Sequence, residues 1–169
     1  FAKPEDELFK AIEKGELHRN FQGYTTKGGA DLIGIGVTSI GDGVDYYAQN
    51  FKDLPTYEKA IDNGELPVFK GYKLSDDDIL RQFVIMELMS NFSLDMKRVE
   101  KEFNINFAEY FNDALEALNE FVEADLVTIT EDKIEVSQTG TMLIRNISMP
   151  FDAYLNNIPE DKRRFSKTI

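Results

Sequence analysis

The sequence predicts an α+β protein, mainly helical, and three observations carry that prediction. Phe107, Tyr110, Phe111, Ala114, Leu115, Leu118, Phe121 and Val122 recur at the i, i+3, i+4, i+7 spacing of one helix face. LVTIT and KIEVS flank Glu131 and Asp132 with period-two alternation, the pattern of a hairpin. DLIGIGVTSIG, Asp31 to Gly41, is an apolar run bounded by glycines, short for a helix and rich in Ile and Val, so it reads as a buried strand.

From the start, Glu5, Asp6 and Glu7 after Pro4 place acids in the first turn of a helix, where its dipole favours them. Leu8, Ala11 and Ile12 face inward and Gly15 ends the helix. After the apolar run, GDG (Gly41 to Gly43) turns the chain and VDYYAQNF follows with loose alternation, which predicts a hairpin. Asp53, Leu54 and Pro55 open a short helix, since proline is tolerated in a first turn, and Asn63 and Gly64 stop it. GELPVFKGYKL (Gly64 to Leu74) reads as a connector whose Val68, Phe69, Tyr72 and Leu74 pack against the chain downstream of it.

From Ser75 the texture becomes that of a helical domain. Ser75 with Asp78 makes a capping box, and Ile79, Leu80, Phe83, Val84, Met86, Leu88 and Met89 make the helix apolar on most sides and therefore central. Ser93 is placed to cap a second helix reaching Phe103, and the periodic stretch from Phe107 to Val122 is the third. After the hairpin, Thr139 and Gly140 lead into a last helix that kinks or ends before Pro150. Three helices, a hairpin and a following helix make a winged-helix-like arrangement. Its would-be recognition helix carries Glu109, Asp113, Glu116, Glu120 and Glu123 and no basic residue, which argues against nucleic acid.

Composition narrows the function classes. Thirty-one acidic residues against 19 basic ones leave a net charge of −12, which disfavours nonspecific contact with nucleic acid or an anionic membrane. No apolar run approaches the roughly 18 residues of a membrane helix. The chain has no cysteine and one histidine, which excludes disulfides and thiolate metal sites; no bound metal is expected, although carboxylates could still take a hard cation. Small molecules or protein are the expected partners, in a cytoplasmic setting.

The chemistry-bearing stretch is Leu17 to Ile40. Arg19, Asn20, Gln22, Tyr24, Thr25 and Thr26 surround Phe21, so polar groups converge around an apolar ring, as a small-molecule site requires. GIGVTSIG has GxGxxxxG spacing rather than a dinucleotide fingerprint, so close backbone approach is the preferred reading of its glycines. His18 beside Arg19 reads as a structural hydrogen-bonder ahead of a general acid or base.

HRNFQGYTT (His18 to Thr26), DLIGIGVTSI (Asp31 to Ile40) and YAQN (Tyr47 to Asn50) resemble the oxygen-independent coproporphyrinogen III oxidases, radical SAM enzymes of haem biosynthesis. NFSLD (Asn91 to Asp95), FAEYF (Phe107 to Phe111), LIRNI (Leu143 to Ile147) and FSKTI (Phe165 to Ile169) follow in family order. The resemblance covers essentially the whole chain and only the C-terminal part of the enzyme, and it implies that Phe1 is a cut within a longer sequence. It implies residues 1–52 as the end of the radical SAM partial (β/α) barrel, 53–74 as linker and connecting helix, and 75–169 as the helical domain.

It further implies that Phe21, Gln22 and Ile40 contribute to the S-adenosylmethionine (SAM) and substrate site, against the plainer reading that Phe21 and Ile40 are core and Gln22 satisfies backbone. The family's [4Fe–4S] cluster is held by cysteines upstream, in a CxxxCxxC motif that this chain lacks, so no catalytic residue and no bound cofactor is expected here. The family decarboxylates two propionates of coproporphyrinogen III to the vinyls of protoporphyrinogen IX. Arginines hold carboxylates bidentately, which makes Arg19, Arg145, Arg163 and Arg164 candidates for the substrate propionates. A solvated basic end on an acidic protein is the simpler reading of the tail cluster Lys162, Arg163, Arg164 and Lys167. The expected role is wall and lid of the site, with self-association through exposed barrel surface. Two alternatives remain: a non-catalytic tetrapyrrole- or SAM-binding protein, and a winged-helix-like protein-interaction module.

Overall fold

The computed structural model describes residues 2–156; Arg163, Arg164 and the rest of the basic tail lie outside the described residues. The protein is α+β, with helices and three small antiparallel sheets among the described residues, and it divides into two compact units, Phe1–Ile79 and Leu80–Ile169. None of the described helices is long and apolar enough to cross a membrane.

In the first unit, α1 (Glu7–Glu13) is capped by Asp6, whose carboxylate accepts the Leu8 N–H at 2.8 Å, and Ala11 is its buried contact. β1 (His18–Asn20) and β2 (Gly23–Thr25) form a hairpin with Phe21 and Gln22 at its tip. β3 (Ile40–Asp42) and β4 (Tyr46–Asn50) form a hairpin, but its turn lies at residues 43–45 instead of through GDG, because Gly41 and Asp42 pair with Ala48 and Tyr47 inside it. α2 (Leu54–Asp62) has Asp53 accepting the Thr56 N–H at 2.9 Å, and it ends at Asn63 and Gly64, the latter at φ +74°.

Two expectations fail in this unit. The run from Asp31 to Ser39 is not a buried strand: apart from a bridge between Leu32 and Asp42 it is a loop, with Ile33 and Ile35 78% and 86% exposed. Regularly spaced glycines let the backbone fold back on itself instead of extending. The connector is not a linker, because its residues Val68–Lys73 form β5, which adds to β4 and completes a sheet of order β3-β4-β5. Of its apolar set only Leu74 is buried, while Val68, Phe69 and Tyr72 are exposed.

α3 (Asp76–Asn91) begins with the predicted box: the Ser75 hydroxyl accepts the Asp78 N–H at 3.2 Å and the Asp78 carboxylate accepts the Ser75 N–H at 2.9 Å. The second unit then holds β6 (Ser93–Asp95), α4 (Met96–Phe103), α5 (Phe107–Tyr110), α6 (Asn112–Ala117), α7 (Asn119–Glu123), β7 (Val127–Ile129) and β8 (Lys133–Val136). A 3₁₀ turn at Gly140–Leu143, α8 (Ile144–Ser148), a second at Met149–Phe151 and α9 (Ala153–Asn156) follow. The sheet order is β6-β8-β7.

Ser93 caps nothing here, because β6 pairs with β8 (Leu94 opposite Ile134) and the cap of α4 is Asp95, accepting the Arg98 N–H at 2.9 Å. The helix expected over Phe107 to Val122 is divided twice, at Phe111 (φ −109°, ψ 27°) and at Leu118. Both residues are buried; the backbone leaves helical geometry at Phe111, whereas Leu118 stays right-handed helical at φ −75°, ψ −13°. The acidic residues from Glu109 to Glu123 all stay on the exposed side.

The core joins Leu80, Val84 and Leu88 of α3 to Leu94, Val99, Phe107, Phe111, Leu118, Ile134, Ile147 and Phe151. Gly140 sits under it: a Cβ there would collide with the Leu126 carbonyl oxygen and lie 2.9 Å from Val136 Cγ1. Gly140→Ala is therefore expected to cost about 1–3 kcal/mol by overpacking, read from the midpoint of chemical denaturation.

Glu100 ties α4 to α5, accepting the Phe107 N–H at 3.0 Å and pairing with Lys97 at 3.0 Å. The Phe107 amide first, then Lys97, hold its carboxyl below the usual range. A lowered folded pKa stabilises above the ordinary glutamate value of about 4.3 and is lost as pH falls through the lower folded value. Thermal melts of wild type and Glu100→Gln should differ at neutral pH, with the wild type higher, and converge under acid.

Candidate functional site

Two of the site candidates of the first unit, Ile40 and Phe21, lie at one face of the β3-β4-β5 sheet. Alternation puts Ile40 and Asp42 on the same side of β3, and their cross-strand partners Gln49 and Tyr47 share that side. The hairpin tip reaches the same place, since the Phe21 ring lies edge-on to Tyr47 with centroids 5.3 Å apart. Phe21 is nevertheless 54% exposed, so it is not the core residue of the plainer reading. Gln22 is exposed beside it, and its N–H is taken by Asn20 Oδ1 at 2.8 Å, which fixes the turn and leaves the amide side chain facing outward. Ile40 is half-buried.

Arg19 sits opposite Tyr24 across the hairpin, its guanidinium 5.6 Å from the ring centre. His18 is packed rather than presented: its imidazole fills the space a Cβ at Gly28 would take. Arg145 belongs to α8 of the second unit, where it is exposed. Thus the structure gathers Phe21, Gln22, Arg19 and Ile40 into one unit, and Arg145 is in the other.

Two contributors escaped the sequence reading. Asp42, paired with Tyr47 across the β3–β4 hairpin, has its carboxyl pushed up by burial first and by the neighbouring Asp31 second. Its ionised form therefore works against the fold, a contribution favourable in acid and lost as pH rises through its folded pKa. Asn50 is buried and donates from its side chain to the carbonyls of Gly34 and Gly36 at 3.1 and 2.9 Å. A GDG sequence and an asparagine at a strand end gave no signal of either role.

Chemically the face offers aromatic and aliphatic contact with a few amide groups. The described residues contain no group of three His, Cys, Asp or Glu able to hold a metal ion, and the chain has no cysteine to ligate an iron–sulfur cluster.

Residues 74–143 match the HemN C-terminal domain family. Over its whole length the chain is 52% identical to an oxygen-independent coproporphyrinogen III oxidase of Helicobacter pylori (strain J99) and 47% identical, over 174 aligned residues, to one of Synechocystis. It spans about a third of the length of these curated relatives, 36% and 37%. A solved structure of coproporphyrinogen III oxidase (HemN) from Escherichia coli, described as a radical SAM enzyme, superposes with a TM-score of 0.87 at 44% identity, covering 91% of this chain and 36% of that one. Identity of this order along the entire chain, the matched domain and the shared fold together place it: over its whole length the chain matches the C-terminal part of the oxygen-independent coproporphyrinogen III oxidases, and its residues 74–143 match the HemN C-terminal domain family.

Proposed function

We propose that this chain is the C-terminal part of an oxygen-independent coproporphyrinogen III oxidase and forms wall and lid of its site. The observation that carries the reading is the 52% identity over all 169 residues to a relative of that name. In this reading residues 1–52 end the radical SAM catalytic domain, the stretch 53–74 adds a helix and the strand β5 to that same piece instead of serving as a linker, and 75–169 are a winged-helix-like domain. The three-stranded β6-β8-β7 sheet beside α3, α4 and α5–α7 supports the last description.

The residues present fit S-adenosylmethionine and do not fit the cluster. An apolar half-buried Ile40, an exposed Phe21 ring and an outward Gln22 amide suit an adenosyl group, whereas cluster ligands are lacking in this chain. When bound, the cluster and SAM supply a radical that abstracts hydrogen from a propionate side chain. This chain's own part is to pack Ile40 and Phe21 against the cofactor, to orient it through Gln22, and to exclude water from that face. Arg19 and Arg145, with Arg163 and Arg164, are proposed contacts for substrate carboxylates.

The first unit exposes the apolar side chains of Ile33, Ile35, Val44 and Leu66, which in this reading a longer polypeptide covers and which favour self-association in its absence. The test is anaerobic conversion of coproporphyrinogen III by the polypeptide of the relatives' length, with reconstituted cluster and SAM. Protoporphyrinogen IX formation supports the reading. SAM binding without conversion favours a non-catalytic binding protein.

A further inference from the structure

We infer that Asn50 is a positioning residue for the cofactor face, acting through the glycine loop that leads into β3; the inference rests on the proposed function, which gives Ile40 to S-adenosylmethionine. The loop from Leu32 to Ser39 is held at Leu32, Gly34, Gly36, Thr38 and Ser39. Asn50 donates one amide hydrogen to Gly34 O and one to Gly36 O, and its backbone N–H goes to Ser39 O at 2.9 Å. The Gly36 N–H bonds the Tyr57 hydroxyl at 3.1 Å, and the Thr38 N–H bonds Phe51 O at 2.8 Å. Gln49 Nε2 reaches Thr38 O at 3.3 Å.

Such bonding does more than satisfy polar groups. Thr38 is held at φ +62°, a left-handed conformation that is an outlier for a β-branched residue and persists only where its surroundings impose it. With the glycine carbonyls drawn inward, Ile33 and Ile35 are turned outward, against their tendency to collapse. Gly34 is pressed on the start of β3, where a Cβ would come 2.9 Å from the Ile40 carbonyl carbon. The place of Ile40 is thus coupled to the loop, and the loop's shape to the Asn50 amide. An isosteric carboxylate would offer no donor and would repel both carbonyls.

The test uses the full-length protein with reconstituted cluster and reads SAM affinity by equilibrium dialysis, Michaelis constants for both substrates, and hydrogen exchange over residues 33–40. Asn50→Asp is expected to weaken SAM binding about tenfold or more, the scale of a lost buried hydrogen bond. It should speed exchange in 33–40 and leave the KM for coproporphyrinogen III within about twofold. Tyr57→Phe, a milder change, should weaken SAM about threefold and decides the matter if Asn50→Asp does not fold.

Unchanged SAM affinity in the variants overturns the inference while leaving the proposed function standing. Parallel loss of both KM values and kcat also overturns it, since that is general damage rather than positioning. A wild type with intact cluster that binds no SAM overturns the proposed function itself.

Discussion

Ile40→Asp in the full-length protein is expected to lower kcat/KM for coproporphyrinogen III by roughly a hundred- to a thousandfold, with the protein still folded. Ile40 is half-buried on the face that it shares with Gln49, Tyr47 and the Phe21 ring. A carboxylate there must be desolvated when the face is covered, at a cost of roughly 3–4 kcal/mol, and each 1.4 kcal/mol is a factor of ten. Ile40→Val, which keeps the apolar contact and the β-branched shape, should retain most of the activity. Gln22→Ala should fall between them, because its backbone bond to Asn20 survives the change and only the outward amide is lost. Anaerobic product formation, with circular dichroism on each variant, separates these outcomes. Equal activity of Ile40→Asp and Ile40→Val would remove Ile40 from the site.

Phe107→Ala is expected to destabilise the second unit by about 3–5 kcal/mol, the range for a large aromatic removed from a packed core. Phe107 is 1% exposed, its ring centre 4.8 Å from that of Phe111 and 6.4 Å from that of Phe151, and Phe111 and Phe151 are 5.4 Å apart. The cavity would open between α5 and the turn at Met149–Phe151, where three rings meet. Urea unfolding should show a midpoint lowered by roughly 2 M at an unchanged slope. Val122→Ala, at an exposed position of the same periodic stretch, should cost little. A small effect at Phe107 would mean that the neighbouring rings repack to fill the space.

Local chemistry was legible from residues alone. The box of Ser75 and Asp78, the cap at Asp53, the stop at Asn63 and Gly64, and the turn at Glu131 and Asp132 all depend on groups a few residues apart, and each is where sequence places it. In the candidate site, the NFQGYTT block singles out Phe21 and Gln22, whereas the hairpin that carries them is seen only in the structure. What sequence missed depends on partners far along the chain. Val68–Lys73 looked like a connector because its strand character needs β4 beside it, and Ser93 looked like a cap because nothing nearby announces β8 as its partner.

The sequence by itself determined the α+β composition, the cap of α3 at Ser75, the start and stop of α2, the turn at Glu131 and Asp132, and the family that the chain resembles. Tertiary structure decided that Ile33 and Ile35 face outward, that Asn50 holds the loop bearing them, and that the third helix is divided at Phe111 and Leu118. The physical reason is one of range. Hydrophobic periodicity tells which residues seek burial, but not whether the backbone can stay regular while burying them. Only the bonds and packing from distant strands and helices settle where the chain must turn and what it must leave exposed.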